Sequence, residues 1–241
     1  MHEGSQLDSA PCADRRGPHA KTRANPPLVS GVILAGGKST RFGSNKALLR
    51  LASQPLIERT VEKLRKLSDD LILVTNEPAT FAALRLAVRL VHDVEPDKGS
   101  LMGVYSGLQA ARYPHALTVA CDMPFLSVPL LRYMIPMAHG QDVVIPYLDG
   151  HLEPLHAIYS STCLSAMESA LKQGRRRIIS FFDRVHVRHV NAREVDIFDP
   201  QRLSVLNVNT HADWALVQEL RALQHKQKQQ TARSPGRGDP R

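Results

Sequence analysis

Apolar positions along most of the chain occur in two alternating patterns. Short continuous apolar runs, typical of buried strands, are separated by longer segments in which apolar residues recur at helical spacing. In residues 55–67, for example, Leu56, Val61 and Leu64 form an apolar stripe, and Pro55 suits a first helical position. The alternation of strands and helices predicts an α/β fold with a mainly parallel sheet and helices on both of its faces.

Seven strands and six helices follow from these patterns. The predicted strands are 29–34, 70–75, 88–92, 116–120, 142–146, 155–159 and 185–190. The predicted helices are 55–67, 80–86, 103–111, 127–138, 162–172 and 210–223. In sheets of this kind, ligands bind at the carboxyl ends of the strands, and polar side chains follow the second, third and fourth strands there. We therefore expect one site at this edge of the sheet.

The two ends of the chain differ from its middle. Residues 1–27 are polar and without apolar periodicity, as are residues 224–241, so both are predicted to be disordered tails around a single domain at 28–223. The net charge is +8, and residues 221–241 contribute most of it, with six Lys or Arg against one Asp. Charge of this kind is usually solvated, so no specific nucleic acid partner is expected.

Hydropathy and cysteine content also indicate the compartment in which the protein works. No apolar run approaches the roughly 18 residues of a membrane helix, and the first residues lack the apolar stretch of a signal peptide. The three cysteines are scattered without metal-type spacing. A reduced cytoplasmic protein without a membrane partner fits these features best.

The glycine-rich loop after the first predicted strand is the most informative segment. Residues 34–46 read L-A-G-G-K-S-T-R-F-G-S-N-K, in which Gly36 and Gly37 are followed, toward the end of the loop, by the two cations Arg41 and Lys46. Small residues let the backbone approach a ligand, and the N–H groups of such a loop can point at phosphate oxygens. The spacing fits neither a Walker loop nor the G-x-G-x-x-G dinucleotide fingerprint. The loop indicates a nucleoside triphosphate site of another kind.

Three charged residues are the candidate catalytic groups. Asp122 follows a buried-looking strand and is placed to hold Mg²⁺, which prefers oxygen ligands and shares them with substrate phosphates. Lys46 would contact the phosphates as a point charge, and Arg41 has the donors to bind departing pyrophosphate. The alternatives are a turn or helix-cap aspartate and solvated basic residues.

The string L-A-G-G-x-S-x-R-F-G-x-x-K resembles the signature of nucleotidyltransferases that join a nucleotide to a phosphorylated acceptor. Within that group the chain resembles the molybdenum cofactor guanylyltransferases, from about residue 29 to about residue 223. The resemblance implies the Rossmann-like nucleotidyltransferase fold, nucleotide binding by Leu34, Ala35, Gly36 and Gly37, and a metal-binding role for the aspartate of C-D-M-P, which is Asp122.

The same resemblance implies further nucleotide-binding residues. Asn76 and Asp93 would contact the nucleoside, although Thr75 could stand in the place of Asn76. Gly99 and Gly103 belong to a segment that resembles the family's G-P-L-x-G loop, with a serine where proline is usual. They would let the backbone approach the base.

Two features in the last third of the chain are consistent with a binding site for the acceptor. Arg176 and Arg177 lie in a basic cluster that a phosphorylated pterin would favour, and the alternative is a solvated charge run. Asn207 and Asn209 match the family's N-V-N-T motif and would point the same way on an extended segment, while the alternative is a helix N-cap. His156 is interpreted as a structural histidine and is not in the catalytic set.

The implied reaction is attack by an acceptor phosphate on the α-phosphorus of GTP. That phosphate is ionised near neutral pH, since its second pKa is about 6, so no general base is required. Lys46, Arg41 and Mg²⁺ on Asp122 would neutralise charge. The implied partners are GTP, molybdopterin carrying molybdenum, a molybdenum-insertion protein and molybdoenzyme chaperones.

Three other functions remain open from the sequence. A cytidylyltransferase for the same acceptor usually reads L-A-A-G where this chain reads L-A-G-G. A sugar-1-phosphate nucleotidyltransferase is usually longer. Loss of the equivalents of Lys46 or Asp122 would have suggested a noncatalytic nucleotide-binding or partner-binding protein, but both residues are present.

Overall fold

The computed structural model describes residues 28–36, 45–96 and 98–233. The strands in this part of the chain are β1 (Val29–Leu34), β2 (Arg50–Leu51), β3 (Gln54–Pro55), β4 (Leu71–Val74), β5 (Arg89–Val91), β6 (His115–Ala120), β7 (Val143–Leu148), β8 (His151–Leu152), β9 (His156–Ser160) and β10 (Val187–Asn191). The α-helices are α1 (Leu56–Leu64), α2 (Pro78–Ala82), α3 (Ser100–Gln109), α4 (Val128–Met134), α5 (Leu164–Lys172), α6 (Ala192–Asp196) and α7 (His211–Arg233).

The main sheet has the strand order β10-β7-β9-β6-β1-β4-β5, and β8 pairs with β7. Strands β5, β4, β1 and β6 are mutually parallel neighbours, and β10 is parallel to β7. Strand β9 runs antiparallel to both β6 and β7. The predicted α/β fold with a mainly parallel sheet is confirmed.

The central strand β1 shows why the strands of this sheet are continuous apolar runs in the sequence. All six of its residues are buried, because successive side chains point to opposite faces and helices cover both faces. Ile33 packs in one core cluster with Ile57 of α1, and Val32 packs in the other with Val104 of α3. The sheet is therefore a rigid support for the loops at its edges.

Several element boundaries differ from the prediction. Helix α7 continues to Arg233 instead of ending at 223, because the polar residues that follow are good helix formers and a solvent-exposed helix needs no apolar stripe. The β2–β3 hairpin was not predicted, since its two-residue turn has no glycine, although Ala52 and Ser53 both have positive φ. The short helix α6 and a 3-10 segment at Ile178–Arg184 were also missed.

None of the described helices combines the length and apolar character that crossing a membrane requires.

Candidate functional site

The polar residues after four parallel strands meet at one edge of the sheet, as expected from the sequence. Leu34, the last residue of β1, lies beside Val74 of β4 and Ala120 of β6, and Val74 lies beside Val91 of β5. The segments that follow these strands carry Ala35 and Gly36, Asn76, Asp93 and Asp122. This convergence defines the candidate site.

Lys46 contacts two side chains, those of Asp122 and Asn209, that are far from it in the sequence. Its Nζ is 3.5 Å from Oδ2 of Asp122 and donates a hydrogen bond to Oδ1 of Asn209 at 2.9 Å. The Lys46 and Asp122 side chains are 15% and 17% exposed, so the pair is largely shielded from solvent but still reachable by a ligand. Burial raises the pKa of Asp122, and the neighbouring Lys46 partly counteracts that rise.

The segment that carries Asn209 is fixed at both of its sides. The Val208 N–H donates to the Asp122 carbonyl at 3.0 Å, and the buried Val208 side chain packs with Leu51, Leu56 and Val217. The Asp213 carboxylate accepts from the N–H groups of Asn209 and Thr210, and the Asp213 N–H donates to the Thr210 hydroxyl. The start of α7 therefore holds Asn209 against Lys46.

A second polar pair lies at the ends of β4 and β5. Asn76 Nδ2 donates to Oδ2 of Asp93 at 2.9 Å, while the buried Oδ1 of Asp93 has no hydrogen-bond partner among the described residues. Burial raises the pKa of Asp93, and the bond from Asn76 opposes the rise. A buried acceptor without a partner carries a free-energy cost that a donor on a ligand can remove.

The glycines beside Asp93 leave room for such a ligand. A Cβ on Gly103, in α3, would lie 3.6 Å from Oδ1 of Asp93, and a Cβ on Gly36 would lie 4.0 Å from its Oδ2. The Cβ on Gly103 would also lie 3.4 Å from a methyl group of Leu34. The two glycines thus keep open the space next to the carboxylate.

Gly99 connects the start of α3 to the basic segment predicted for the acceptor. It has φ +85°, and a Cβ there would lie 3.2 Å from the carbonyl oxygen of Arg176. The Leu101 N–H donates to the same carbonyl at 3.3 Å. Only a residue without a side chain fits this close approach without strain.

Among the described residues, the side chains of the others predicted for the site do not take part in the contacts given above. Arg176 and Arg177 are exposed, and Asn207 donates from Nδ2 to the Val205 carbonyl at 3.2 Å. Gly37 and Arg41 lie outside the described residues. The roles assigned to these residues stay predictions.

The donor set of the site suits a magnesium ion that is shared with a substrate. Within the described part of the chain, no group of three or more His, Cys, Asp or Glu could hold a metal by itself. Asp122 Oδ2 lies 3.5 Å from Lys46 Nζ, and burial raises the pKa of the carboxyl more than this single cation lowers it. A hard cation with substrate oxygens as its other ligands fits such a carboxylate.

Two parts of the site were missed by the sequence reasoning. Asp213 lies three residues after Thr210, and this capping-box spacing could have identified it as the residue that holds Asn209. Asn45 caps the turn that carries Lys46 and also donates to Glu77 after β4 at 3.2 Å. No local sequence signal indicates that second contact, because it joins residues 32 positions apart.

Comparison with known proteins identifies the family. The family described as "MobA-like NTP transferase domain" matches residues 31–195, which include the last four residues of β1 and Asp122. This chain belongs to that family. The matched range also contains Lys46, Asn76 and Asp93, so most of the candidate site lies within the MobA-like domain.

Individual relatives of the MobA-like family agree. The chain is 36% identical, over 77% of its length and 89% of the relative's, to a probable molybdenum cofactor guanylyltransferase from Pelotomaculum thermopropionicum. It is 35% identical, over 76% and 90%, to the molybdenum cofactor guanylyltransferase of Desulfosudis oleivorans. The crystal structure of molybdopterin-guanine dinucleotide biosynthesis protein A from Archaeoglobus fulgidus superposes with a TM-score of 0.71 at 26% identity, covering 80% of this chain and 99% of that one.

Proposed function

We propose that this protein transfers GMP from GTP to the terminal phosphate of molybdopterin, releasing pyrophosphate and forming the guanine dinucleotide cofactor. The observation that carries the proposal is the contact of Lys46 with both Asp122 and Asn209 at the carboxyl edge of the sheet. It joins the end of the glycine-rich loop, a carboxylate and the acceptor motif in one place. The relatives' names supply the acceptor and the nucleotide.

The reaction balances without a proton acceptor from the protein. An ionised oxygen of the acceptor phosphate forms a bond to the α-phosphorus of GTP, and the bond from that phosphorus to the bridging oxygen breaks. Pyrophosphate leaves with the electron pair. Lys46 supplies positive charge next to the reacting phosphates, and Arg41 is proposed to contact the departing group, so catalysis rests on positioning and charge neutralisation.

We propose that Asp122 holds Mg²⁺ together with oxygens of the substrate phosphates. When bound, the ion would offset negative charge on the phosphates. The carboxylate contributes the fixed ligand, Lys46 partly offsets the rise of its pKa on burial, and the backbone bond from Val208 to the Asp122 carbonyl keeps its segment in place. The burial of this carboxylate next to one lysine supports the assignment.

Asp93 is proposed to select guanine. An ionised carboxylate only accepts hydrogen bonds, and guanine presents an N1–H and an exocyclic amine as neighbouring donors. Cytosine and adenine present a ring nitrogen that accepts hydrogen bonds beside their amine. This nitrogen would face the carboxylate oxygen, and two acceptors repel each other. The buried Oδ1 without a partner and the space beside Gly36 and Gly103 support guanine.

The acceptor is proposed to lie on the Asn209 side of Lys46, with Asn207, Arg176 and Arg177 facing its phosphate. We further propose a cytoplasmic location, which the two free cysteines among the described residues, Cys121 and Cys163, support because they suit a reducing compartment. A molybdenum-insertion protein that delivers the acceptor and molybdoenzyme chaperones that receive the product are proposed as protein partners.

Steady-state pyrophosphate release with molybdopterin, Mg²⁺ and each of GTP, CTP, ATP and UTP tests the proposal. Release that depends on molybdopterin and is fastest with GTP is the expected result. Release that is fastest with CTP would assign the chain to cytidylyl transfer instead. Omission of Mg²⁺ should abolish release, and unchanged release without any divalent cation would refute the role given to Asp122.

A further inference from the structure

A cavity of about 450 Å³ lies on the side of the protein formed by α1, the loop after Asp122, residues 198–203 and the middle of α7. Three cationic side chains line it: Arg59 and Lys63, one turn apart on α1, and Arg221 on α7. Arg221 is about 15 Å along α7 from the first residue of that helix, so the cavity is separate from the Lys46 and Asn209 contact.

Within the described part of the chain, none of the three cations of this cavity forms a salt bridge with a carboxylate. The buried Nε atoms of Arg59 and Arg221 have no hydrogen-bond partner among the described residues. Asp199 is the one carboxylate among the described lining residues, and both of its oxygens accept backbone N–H groups of Leu203 and Ser204. Glu62, which attracts Arg59, accepts from Gln54 Nε2 at 2.6 Å.

Burial and mutual repulsion both disfavour the charged forms of the two α1 residues. Burial, followed by the charge of Arg221, lowers the pKa of Arg59. Burial lowers the pKa of Lys63 to about 8, and the charges of Arg59, Lys66 and Arg221 add to this effect. Like charges held together in a half-buried place cost free energy that a bound anion would recover.

The shape and the walls of the cavity indicate the class of anion. Its volume is that of an ordinary small-molecule site, and Phe125, Phe198 and Leu203 give it apolar walls beside the cations. Two guanidinium groups and an ammonium match the charge and the several oxygens of a phosphate group better than a single carboxylate. A flat apolar ring attached to the phosphate would contact the two phenylalanines.

We propose that this cavity binds the phosphate group of a small molecule, held by Arg59, Lys63 and Arg221, at a site distinct from the nucleotide site. Lys63 connects the two sites, because its Nζ donates to the Pro124 carbonyl at 2.9 Å and Pro124 lies two residues after Asp122. An anion that changes the position of Lys63 therefore acts on the segment that carries Asp122.

Calorimetric titration and thermal unfolding of the whole chain test this site with three probes: inorganic phosphate, phenyl phosphate and benzoate, each against sodium chloride of equal ionic strength. Wild type should bind both phosphates, with a Tm that rises with their concentration. Arg221→Gln and Arg59→Gln should each weaken phosphate binding by at least about tenfold, since each removes a charge-assisted hydrogen bond. Arg221→Lys should restore part of it.

The matched control is Arg132→Gln, an exposed arginine on α4 that does not line the cavity. It should bind like wild type. In chloride alone Arg221→Gln should unfold at or above the wild-type Tm, because it removes repulsion, whereas a purely structural arginine would lower the Tm.

Tighter binding of phenyl phosphate than of inorganic phosphate identifies a ring-bearing phosphate ester as the ligand class, and equal binding identifies a free phosphate. Equal binding of benzoate and phenyl phosphate, or phosphate binding that survives in Arg59→Gln and Arg221→Gln, would overturn the proposal. Absence of phosphate binding by wild type would overturn it as well.

Discussion

Lys46 donates a hydrogen bond to Asn209 across 2.9 Å, although 163 positions separate the two residues in the chain. The bond joins the end of the glycine-rich loop to the segment just before α7. Asp122 Oδ2 lies 3.5 Å from the same ammonium group, so a change at any of the three residues alters the surroundings of the other two. The site is therefore one connected unit.

Asp122→Asn should lower kcat for guanylyl transfer by about 10²-fold to 10³-fold, because it removes the carboxylate proposed to hold the Mg²⁺ that offsets charge on the phosphates. The Tm at neutral pH should not fall, since the variant relieves the burial of a carboxylate whose pKa is already raised. The control is Asp183→Asn, an exposed carboxylate outside the site. A kcat within twofold of wild type would remove Asp122 from the mechanism.

The bond between Lys46 and Asn209 should be detectable as energetic coupling. Lys46→Gln, Asn209→Ala and the double variant form a cycle in which kcat/KM is measured. We expect a coupling free energy of about 0.5–3 kcal/mol, the range for groups in direct contact. The control is a second cycle that combines Lys46→Gln with Glu168→Gln. Glu168 forms a salt bridge with Lys172, away from the site, so this pair should show no coupling. Strict additivity of the first pair would show that the bond plays no part in catalysis.

Two glycines of α3 should respond in opposite ways to alanine. At Gly103 the new Cβ would make ordinary contacts, so the variant should be as stable as wild type or up to about 1 kcal/mol more stable, yet bind GTP more weakly because it fills space beside Asp93. At Gly107 the Cβ would clash with a methyl group of Val32, so the variant should lose about 1–3 kcal/mol of stability. Urea unfolding and GTP titration separate the two effects.

Gly99→Ala should cost stability for two separable reasons. The residue has φ +85°, and its Cβ would also press against the Arg176 carbonyl. Gly150, with φ +84° and open space around its Cβ position, is the matched control for the backbone strain alone. The unfolding free energy should fall by about 1 kcal/mol in Gly150→Ala and by more in Gly99→Ala. Equal losses would show that the contact with Arg176 is unimportant.

Asp93 should make stability and GTP binding depend on pH in opposite directions. Its pKa is raised in the folded state, so the carboxyl destabilises the fold as pH rises through that folded pKa, and the effect is absent below the unfolded value of about 3.9. Asp93→Asn should therefore be more stable than wild type at pH 7, with a difference that shrinks toward pH 4. GTP affinity of wild type should fall over the same range as the carboxyl is protonated.

Urea unfolding and GTP titration between pH 4 and 7.5 measure both effects. Asn76→Ala is an informative companion, because loss of its bond removes the interaction that lowers the pKa of Asp93 and should move both transitions to higher pH. A GTP affinity that is unaffected in Asp93→Asn would contradict the proposed role in guanine selection.

Residues that follow a buried strand could be located from the sequence, and residues held by tertiary contacts could not. Asn76, Asp93 and Asp122 were found because parallel strands end at a common edge. The contact of Asn45 with Glu77 and the grouping of Arg59 with Arg221 depend on how helices and loops pack, which leaves no local pattern. The last ten residues of α7 were missed because helix propensity, not apolar periodicity, carries them.

The fate of the GTP phosphorus atoms tests the proposed reaction most directly. The protein is incubated with molybdopterin, Mg²⁺ and GTP labelled either at the α-phosphorus or at the γ-phosphorus, and the products are separated. We expect the α label in the pterin dinucleotide and the γ label in pyrophosphate, in equal amounts, and neither with Asp122→Asn. Transfer of the γ label to the pterin would contradict guanylyl transfer by this site. So would an α label that stays in GTP although undegraded molybdopterin is present.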